Sequence, residues 1–436
     1  MHRPKAAWQV LTEKSFGGAL LLAFLILSCG KANNSSSNPP PPPPANTEAL
    51  SVDAGPTNSF VNGLFTTITV CAPGTSTCNT IDHVLVDTGS YGLRLLASGA
   101  AGGKLTLALS QQTNSTGAVA ECAQFADSFT WGPVAIADVK ISGEKASSVP
   151  IQVVGDANYP DSTAPTIASC TNGSTIPSGD TLGALGANGI LGVGVFTDDC
   201  GPACASTTSN PGVYFACPSP PTSSSSCAVI AEPESSQLQN PVWMFSSDNN
   251  GLSISMPSVP PTEVGALTES GTLTFGIGTQ SNNALGNAKV YTTDGFGNFT
   301  TNYSGSSYGT NGVPNSQSFI DSGSGAMFFL DPITTGIPGC TTCPTGASLA
   351  GLYCPPAPVN KSATNVGQNG TSGTVPFTVS SAATLICSTS NTAYSDLAGQ
   401  SSLTFDWGMN FFYGKTVFVG IDGQTTPGGT GPYWAY

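Results

Sequence analysis

The chain has 436 residues, of which 39% are hydrophobic and only 8% charged, with 52 glycines, 34 prolines and a formal net charge of −14. That length exceeds the roughly 100–150 residues of one ordinary domain, so two lobes or one large β-rich unit is expected. The hydrophobic fraction excludes a disordered chain, and the acidic balance makes nucleic acid and anionic membrane surfaces poor partners.

The first segment reads as an address rather than as structure. His2, Arg3, Lys5 and Lys14 make a basic start, and GGALLLAFLILSC supplies an apolar run, short for a membrane span, that ends at Cys29. The stretch ILSC resembles a bacterial lipobox with Ser28 directly before the cysteine, so residues 1–28 are expected to be a lipoprotein signal peptide and Cys29 the lipidated first residue. An ordinary signal peptide or an uncleaved anchor is the alternative. Gly30, rather than an aspartate, follows the cysteine, which points to the outer membrane of a bacterial cell envelope. Residues 29–49 form an Asn/Ser/Pro-rich tether with six consecutive prolines and nothing to bury. Folding is expected to begin near Leu50.

Beyond residue 28 the chain carries 8 basic and 24 acidic residues, a formal charge of −16. Setting Cys29 aside from the 13 cysteines leaves twelve, an even number that argues for disulfides in an exported chain. Cys71 and Cys78 would close a hairpin loop between two strands. Cys200 with Cys204, Cys217 with Cys227, and the group Cys340, Cys343, Cys354 and Cys387 are further local sets whose connectivity stays open. Zinc is the alternative for such clusters, but His83 is the one histidine past the signal segment and an oxidising compartment disfavours a four-thiolate site. Neither a metal nor a cofactor is expected.

Short apolar runs separated by Gly, Pro, Ser, Thr and Asn, without a long amphipathic helical period, predict a mainly β chain. Two of the runs end alike. IDHVLVDTGSYGLRLL, residues 81–96, contains Asp87-Thr88-Gly89-Ser90, and SFIDSGSGAMFFLD, residues 318–331, contains Asp321-Ser322-Gly323-Ser324. Taken singly, either motif is a turn after a strand, because Asp and Gly suit turns. Two copies, each behind a buried-looking strand, point instead to a paired site.

This pair resembles the motifs of the pepsin-like aspartic proteases, two-lobed β proteins that contribute one such aspartate from each lobe. Further segments match in order. ANGILGVGVF, residues 187–196, resembles the segment passing beneath the first catalytic loop; SGTLTFGIG, residues 270–278, resembles the strand that opens the second lobe; FDWGMNFFYGKTVFVGID, residues 405–422, resembles the terminal region of the family. The cysteine-rich lipoprotein form and the F-D-W-G ending also resemble a bacterial lipoprotein family distantly related to pepsin. The resemblance covers residues 60–436. It implies a cleft between pseudo-symmetric β lobes, here 50–245 and 246–436, in a monomer acting on a peptide or protein substrate. It also implies Asp87 and Asp321 as the catalytic dyad, Ser90 and Ser324 on the outer carboxylate oxygens, and Thr88 and Ser322 cross-linking the loops. Gly89 and Gly323 would let the backbone turn sharply. Two carboxyls within about 3 Å cannot both ionise cheaply, so one proton is shared and the pair can activate a water.

The departures from the family pattern matter as much. Arg94 stands where a tryptophan is expected seven residues after the first aspartate, and the flap hairpin, best matched by residues 122–143, puts Phe125 at the place of the flap tyrosine. Both partners of the usual flap hydrogen bond are replaced together. Asp406 sits where an apolar residue normally precedes Trp407-Gly408, as a structural acid at a loop or as a third carboxyl that perturbs the dyad. Two functions follow: an aspartic endopeptidase, or a non-catalytic binding lipoprotein that recognises a peptide or glycan in the cleft. Other schemes fare worse. His83 lies four residues before Asp87 on one predicted strand, on the same face but too far for a triad hydrogen bond. GALGANGILGVG lacks the Lys-Ser/Thr of a P-loop, which rejects nucleotide binding.

Overall fold

The computed structural model describes residues 45–261, 263–310, 312–343 and 348–436. Cys29, the signal segment and the proline run lie outside the described residues. The β-branched and aromatic run Gly63–Cys71 pairs antiparallel with Cys78–Asp87, in a register that sets Phe65 opposite Leu85 and Cys71 opposite Cys78. The Cys71–Cys78 disulfide closes that hairpin. Gly117–Gln124, Phe129–Ile141 and Glu144–Val154 follow as an antiparallel meander, joined to the first hairpin where Thr69 faces Lys140.

One arrangement occurs twice. Cys78–Asp87 turns through residues 88–90 into Tyr91–Leu96, and Gly189–Val193 slots between these two strands, parallel to the first and antiparallel to the second. In the second half, Gln317–Ile320 turns into Met327–Leu330, and Ser401–Trp407 takes the same place, again parallel to the first and antiparallel to the second. Gly192 pairs with Asp87, while the carbonyl of Trp407, the residue before Gly408, accepts a 3.0 Å bond from the Asp321 N–H. Glycine is required at both underpasses: a Cβ would lie 2.5 Å from the Tyr91 nitrogen at Gly192 and 2.0 Å from the Ala326 oxygen at Gly408. The chain is thus mainly β with the two-lobed pepsin-like arrangement expected from its repeated motif.

A shared sheet joins the halves. Thr47–Asp53 pairs on one side with Gly63–Cys71 and on the other with Glu269–Phe275, so that Ser51 faces both Phe65 and Ser270. The ladder continues from Glu269–Phe275 through Gly251–Ser255 and Thr416–Gly420 to Tyr433–Ala435. The tether expected to run to residue 49 therefore ends sooner, because Thr47, Glu48 and Ala49 already belong to a strand. Their partners Thr274, Leu273 and Thr272 lie more than two hundred residues on, and no local pattern announces them.

The apolar core follows the same plan. Val84, Leu93 and Leu191 of the first half pack in one cluster with Leu252, Phe275, Phe329 and Trp407 of the second. All twelve described cysteines are paired, as Cys71–Cys78, Cys122–Cys170, Cys200–Cys204, Cys217–Cys227, Cys340–Cys354 and Cys343–Cys387. No described helix is long and apolar enough to cross a membrane. Leu50, 2% exposed in the strand that bridges the halves, should matter to both: Leu50→Ala is expected to cost about 2–5 kcal/mol. Urea unfolding should show this as a lower midpoint with an unchanged slope.

Candidate active site

The two turns meet face to face at the centre of the molecule. Thr88 Oγ1 donates to the Ile320 carbonyl at 3.1 Å and accepts from the Ser322 N–H at 2.9 Å; Ser322 Oγ donates to the Val86 carbonyl at 2.7 Å and accepts from the Thr88 N–H at 3.1 Å. Each hydroxyl thus bonds the opposite loop twice. These four buried bonds satisfy backbone groups that the turns leave without strand partners. They also fix how closely the loops approach.

That approach forces Asp87 and Asp321 together. A Cβ at Gly89 would lie 2.6 Å from Asp321 Cγ, and one at Gly323 would lie 2.6 Å from Asp87 Oδ1, so no larger residue fits either turn. The Gly89 N–H donates to Asp87 Oδ1 at 2.8 Å, and the Gly323 N–H to Asp321 Oδ1 at the same distance. Ser90 Oγ donates to Asp87 Oδ2, and Ser324 Oγ lies 2.9 Å from Asp321 Oδ2. Both carboxyls are fully buried. Burial, then the neighbouring Asp321 carboxylate and the hydrogen bond between the two acids, push Asp87 well above the usual carboxylate range; Ser90 and the Gly89 N–H oppose this without cancelling it.

The second half adds a third acid. Asp406 is 2% exposed and its Oδ2 lies 2.6 Å from Ser324 Oγ. Alternation along the strand turns Trp407 the other way, toward a cavity of about 330 Å³ walled by Met327, Phe377, Trp407 and Phe411.

Arg94 and Phe125, expected at the flap and facing substrate, lie in the interior of the first half. Phe125 is 4% exposed among Phe60, Phe65, Leu85 and Leu96. The Arg94 guanidinium sits 5.6 Å from its ring centroid, so the two replaced positions do pair, through a cation–π contact. Arg94 is nevertheless a structural cation. It donates to Glu121, to Asp199 at 3.3 Å and to the Tyr91 carbonyl at 2.9 Å, while Tyr214 donates to Asp199 at 2.7 Å. Burial opposes the Arg94 charge, but the two carboxylates outweigh it and raise its pKa. Arg94 is only 3% exposed, and its hydrogen bonds hold together elements of the first half.

The matched hairpin is present, with its tip at residues 125–128 closed by a 2.8 Å bond from the Phe125 N–H to the Ser128 carbonyl. It is also tied down, by the Cys122–Cys170 disulfide and by Gln124 Nε2 donating to the Cys170 carbonyl at 3.1 Å. His83 stands apart, 3.5 Å from Asp53 and 3.3 Å from Asp82.

One residue that sequence reasoning missed is Asn62. From the first half its Nδ2 donates to the Gly325 carbonyl at 2.8 Å and the Tyr394 carbonyl at 2.9 Å, and its Oδ1 accepts from the Tyr394 N–H and the Tyr413 hydroxyl. Its only signal in the sequence is the Asn62-Gly63 pair, which reads as a turn; the positive φ of 54° at Asn62 agrees with that much. Glu121, Asp199 and Tyr214 carried no signal at all.

The family model described as "Protein of unknown function (DUF3443)" matches residues 42–436, and the chain belongs to that family. No curated protein matches it in sequence. Among solved structures, the aspartic proteinase from Irpex lacteus is similar, with 15% identity and a TM-score of 0.47 over 89% of this chain and 96% of that one.

The Arg94 network yields a stability prediction. Arg94→Met would leave Glu121 and Asp199 buried without a cation, a change expected to cost about 3–5 kcal/mol. Urea unfolding of both proteins at neutral pH measures it.

Proposed function

We propose that this chain is an aspartic endopeptidase of the bacterial cell envelope, anchored by lipid at Cys29 and acting on peptides or proteins as a monomer. The observation that carries the reading is the hydrogen-bonded pair of buried carboxyls, one from each half, with each inner oxygen held by a glycine N–H and each outer oxygen by a serine. Such a pair has one proton to give and one site to receive one. The ionised carboxyl takes a proton from water while the neutral one donates to the substrate carbonyl. Water oxygen then bonds to the carbonyl carbon, giving a tetrahedral diol. Its collapse breaks the C–N bond, passes a proton to the leaving amine and returns the dyad to its starting state. No bond to the protein forms. The glycine N–H groups and the serines are preorganised, so the charge distribution of the dyad needs no rearrangement during the reaction.

A second reading keeps the cleft but not the chemistry: a groove that recognises a peptide or glycan without cutting it. It is favoured by the absence of exposed surface on either aspartate and by the enclosure of Arg94 and Phe125 where the family has a tryptophan and a tyrosine. Incubating the detergent-solubilised protein with a complex peptide library from acidic to neutral pH separates the two.

In the endopeptidase reading, Asp87→Asn and Asp321→Asn each lower kcat by about 10⁴-fold or more, and the double variant costs little beyond either single one, because the pair acts as a unit. Mass spectrometry of the library digests reads the loss, and full activity in either variant would exclude the mechanism. Peptide or glycan binding without cleavage in any variant would establish the groove instead. For the anchor, Cys29→Ser is expected to release the protein from membranes or to leave it unprocessed. An unchanged mass and membrane partition would refute lipidation.

A further inference from the structure

Ser324 poses a proton-counting problem that Ser90 does not. Its Oγ lies 2.9 Å from Asp321 Oδ2 and 2.6 Å from Asp406 Oδ2. A serine hydroxyl carries one proton, and an ionised carboxylate accepts only. With both acids ionised, one of these contacts would set lone pairs against lone pairs in a buried place. Both hold together only if one acid is neutral and donates to the serine.

The surroundings identify which. Asp321 accepts the Gly323 N–H and is hydrogen-bonded to Asp87. Asp406 accepts no backbone N–H, makes no ion pair among the described residues, and its Oδ1 is buried without a hydrogen-bond partner. The strands on either side set Phe319 and Phe328 next to it. The charged groups that face it are Asp321 and Asp87, both acidic. We infer that Asp406 is a neutral carboxylic acid that donates to Ser324 Oγ and so commits the Ser324 proton to Asp321, making Asp406 a positioning residue of the dyad.

Burial, and then the charges of Asp321 and Asp87, raise its pKa well above the usual range, in keeping with this state. The relay exists on one side only. In the first half Ile190 holds the place of Asp406, with Arg94 opposite it as Phe328 is opposite Asp406. Asp321 therefore has an obligate donor on its outer oxygen. When rising pH ionises Asp406, its carboxylate claims the Ser324 proton and sets a further negative charge beside the dyad.

The consequence for turnover rests on the endopeptidase reading; the protonation state does not, and the experiment separates them. Asp406→Asn keeps a neutral donor, and Asp406→Ile reproduces the first half. Infrared difference spectra with ¹³C-labelled aspartate at neutral pH should show one protonated carboxylic acid in the unmutated protein that is missing from either variant. An acid whose folded pKa is raised stabilises the fold below its unfolded pKa and loses that contribution as pH rises through the folded value. The melting temperature of the unmutated protein should therefore fall more steeply from about pH 4 upward than that of Asp406→Asn. If the chain is a peptidase, Asp406→Asn retains kcat at its optimum and carries the alkaline limb to higher pH, whereas Asp406→Ile loses about tenfold or more.

An unchanged protonated-acid signal in the folded variants overturns the inference, as does equal loss of turnover in Asn and Ile variants with normal folds. If the unmutated protein cleaves nothing, the infrared and melting measurements still decide the state of Asp406.

Discussion

The arrangement turns on two carboxyls that repel each other when both are charged. Water would let Asp87 and Asp321 ionise independently; a fully buried position that they share does not. Holding them there needs a frame stiffer than the repulsion, and the reciprocal bonds of Thr88 and Ser322 supply it. The glycines that follow those residues serve the same end, since a Cβ at Gly89 or Gly323 would collide with the opposite aspartate. The underpass strands lie beneath both turns and close on them through Gly192 and Gly408.

Within this symmetric frame each half carries one ionisable side chain where its counterpart has an apolar one. In the first half it is Arg94, facing Ile190 in the ladder; in the second it is Asp406, facing Phe328. The positions are complementary, and each group is accommodated differently. Arg94 is neutralised by Glu121 and Asp199, which in turn are buried and depend on it. Asp406 has no cation beside it among the described residues and is instead linked through Ser324 to the dyad. A buried acid left without a counter-ion is costly unless it stays protonated, so the second half couples its structural integrity to proton occupancy beside the paired aspartates.

The hairpin of Gly117–Gln124 and Phe129–Ile141 belongs to the same network: its base contributes Glu121 to the Arg94 ion pairs and its tip contributes Phe125 to the contact with the guanidinium. Cys122–Cys170 then ties the hairpin to a neighbouring segment, restricting how far its base can travel.

How much of this was legible in the sequence follows from how far apart the interacting residues are. The two Asp-hydroxyl-Gly-Ser turns and the apolar runs before them could be read directly, because strand period and turn chemistry are local properties, whereas segments 187–196 and 405–422 stood out only by resemblance to a known family, and that 405–422 runs under the second turn came from the structure. So could Cys71 with Cys78, which share one hairpin. The pairing of Cys122 with Cys170, the clamp made by Asn62 on Tyr394, the insertion of Thr47–Asp53 between strands of both halves, and the burial of Arg94 against Glu121 and Asp199 could not. Asp406 shows the division most clearly. Its oddity beside Trp407-Gly408 was visible in the sequence, but its contact with Ser324, 82 residues away, was not. A residue's own pattern tells which face of a strand it occupies; which group awaits it there, and therefore whether a carboxyl is charged or neutral, is set by chain brought in from elsewhere by the closing of the fold.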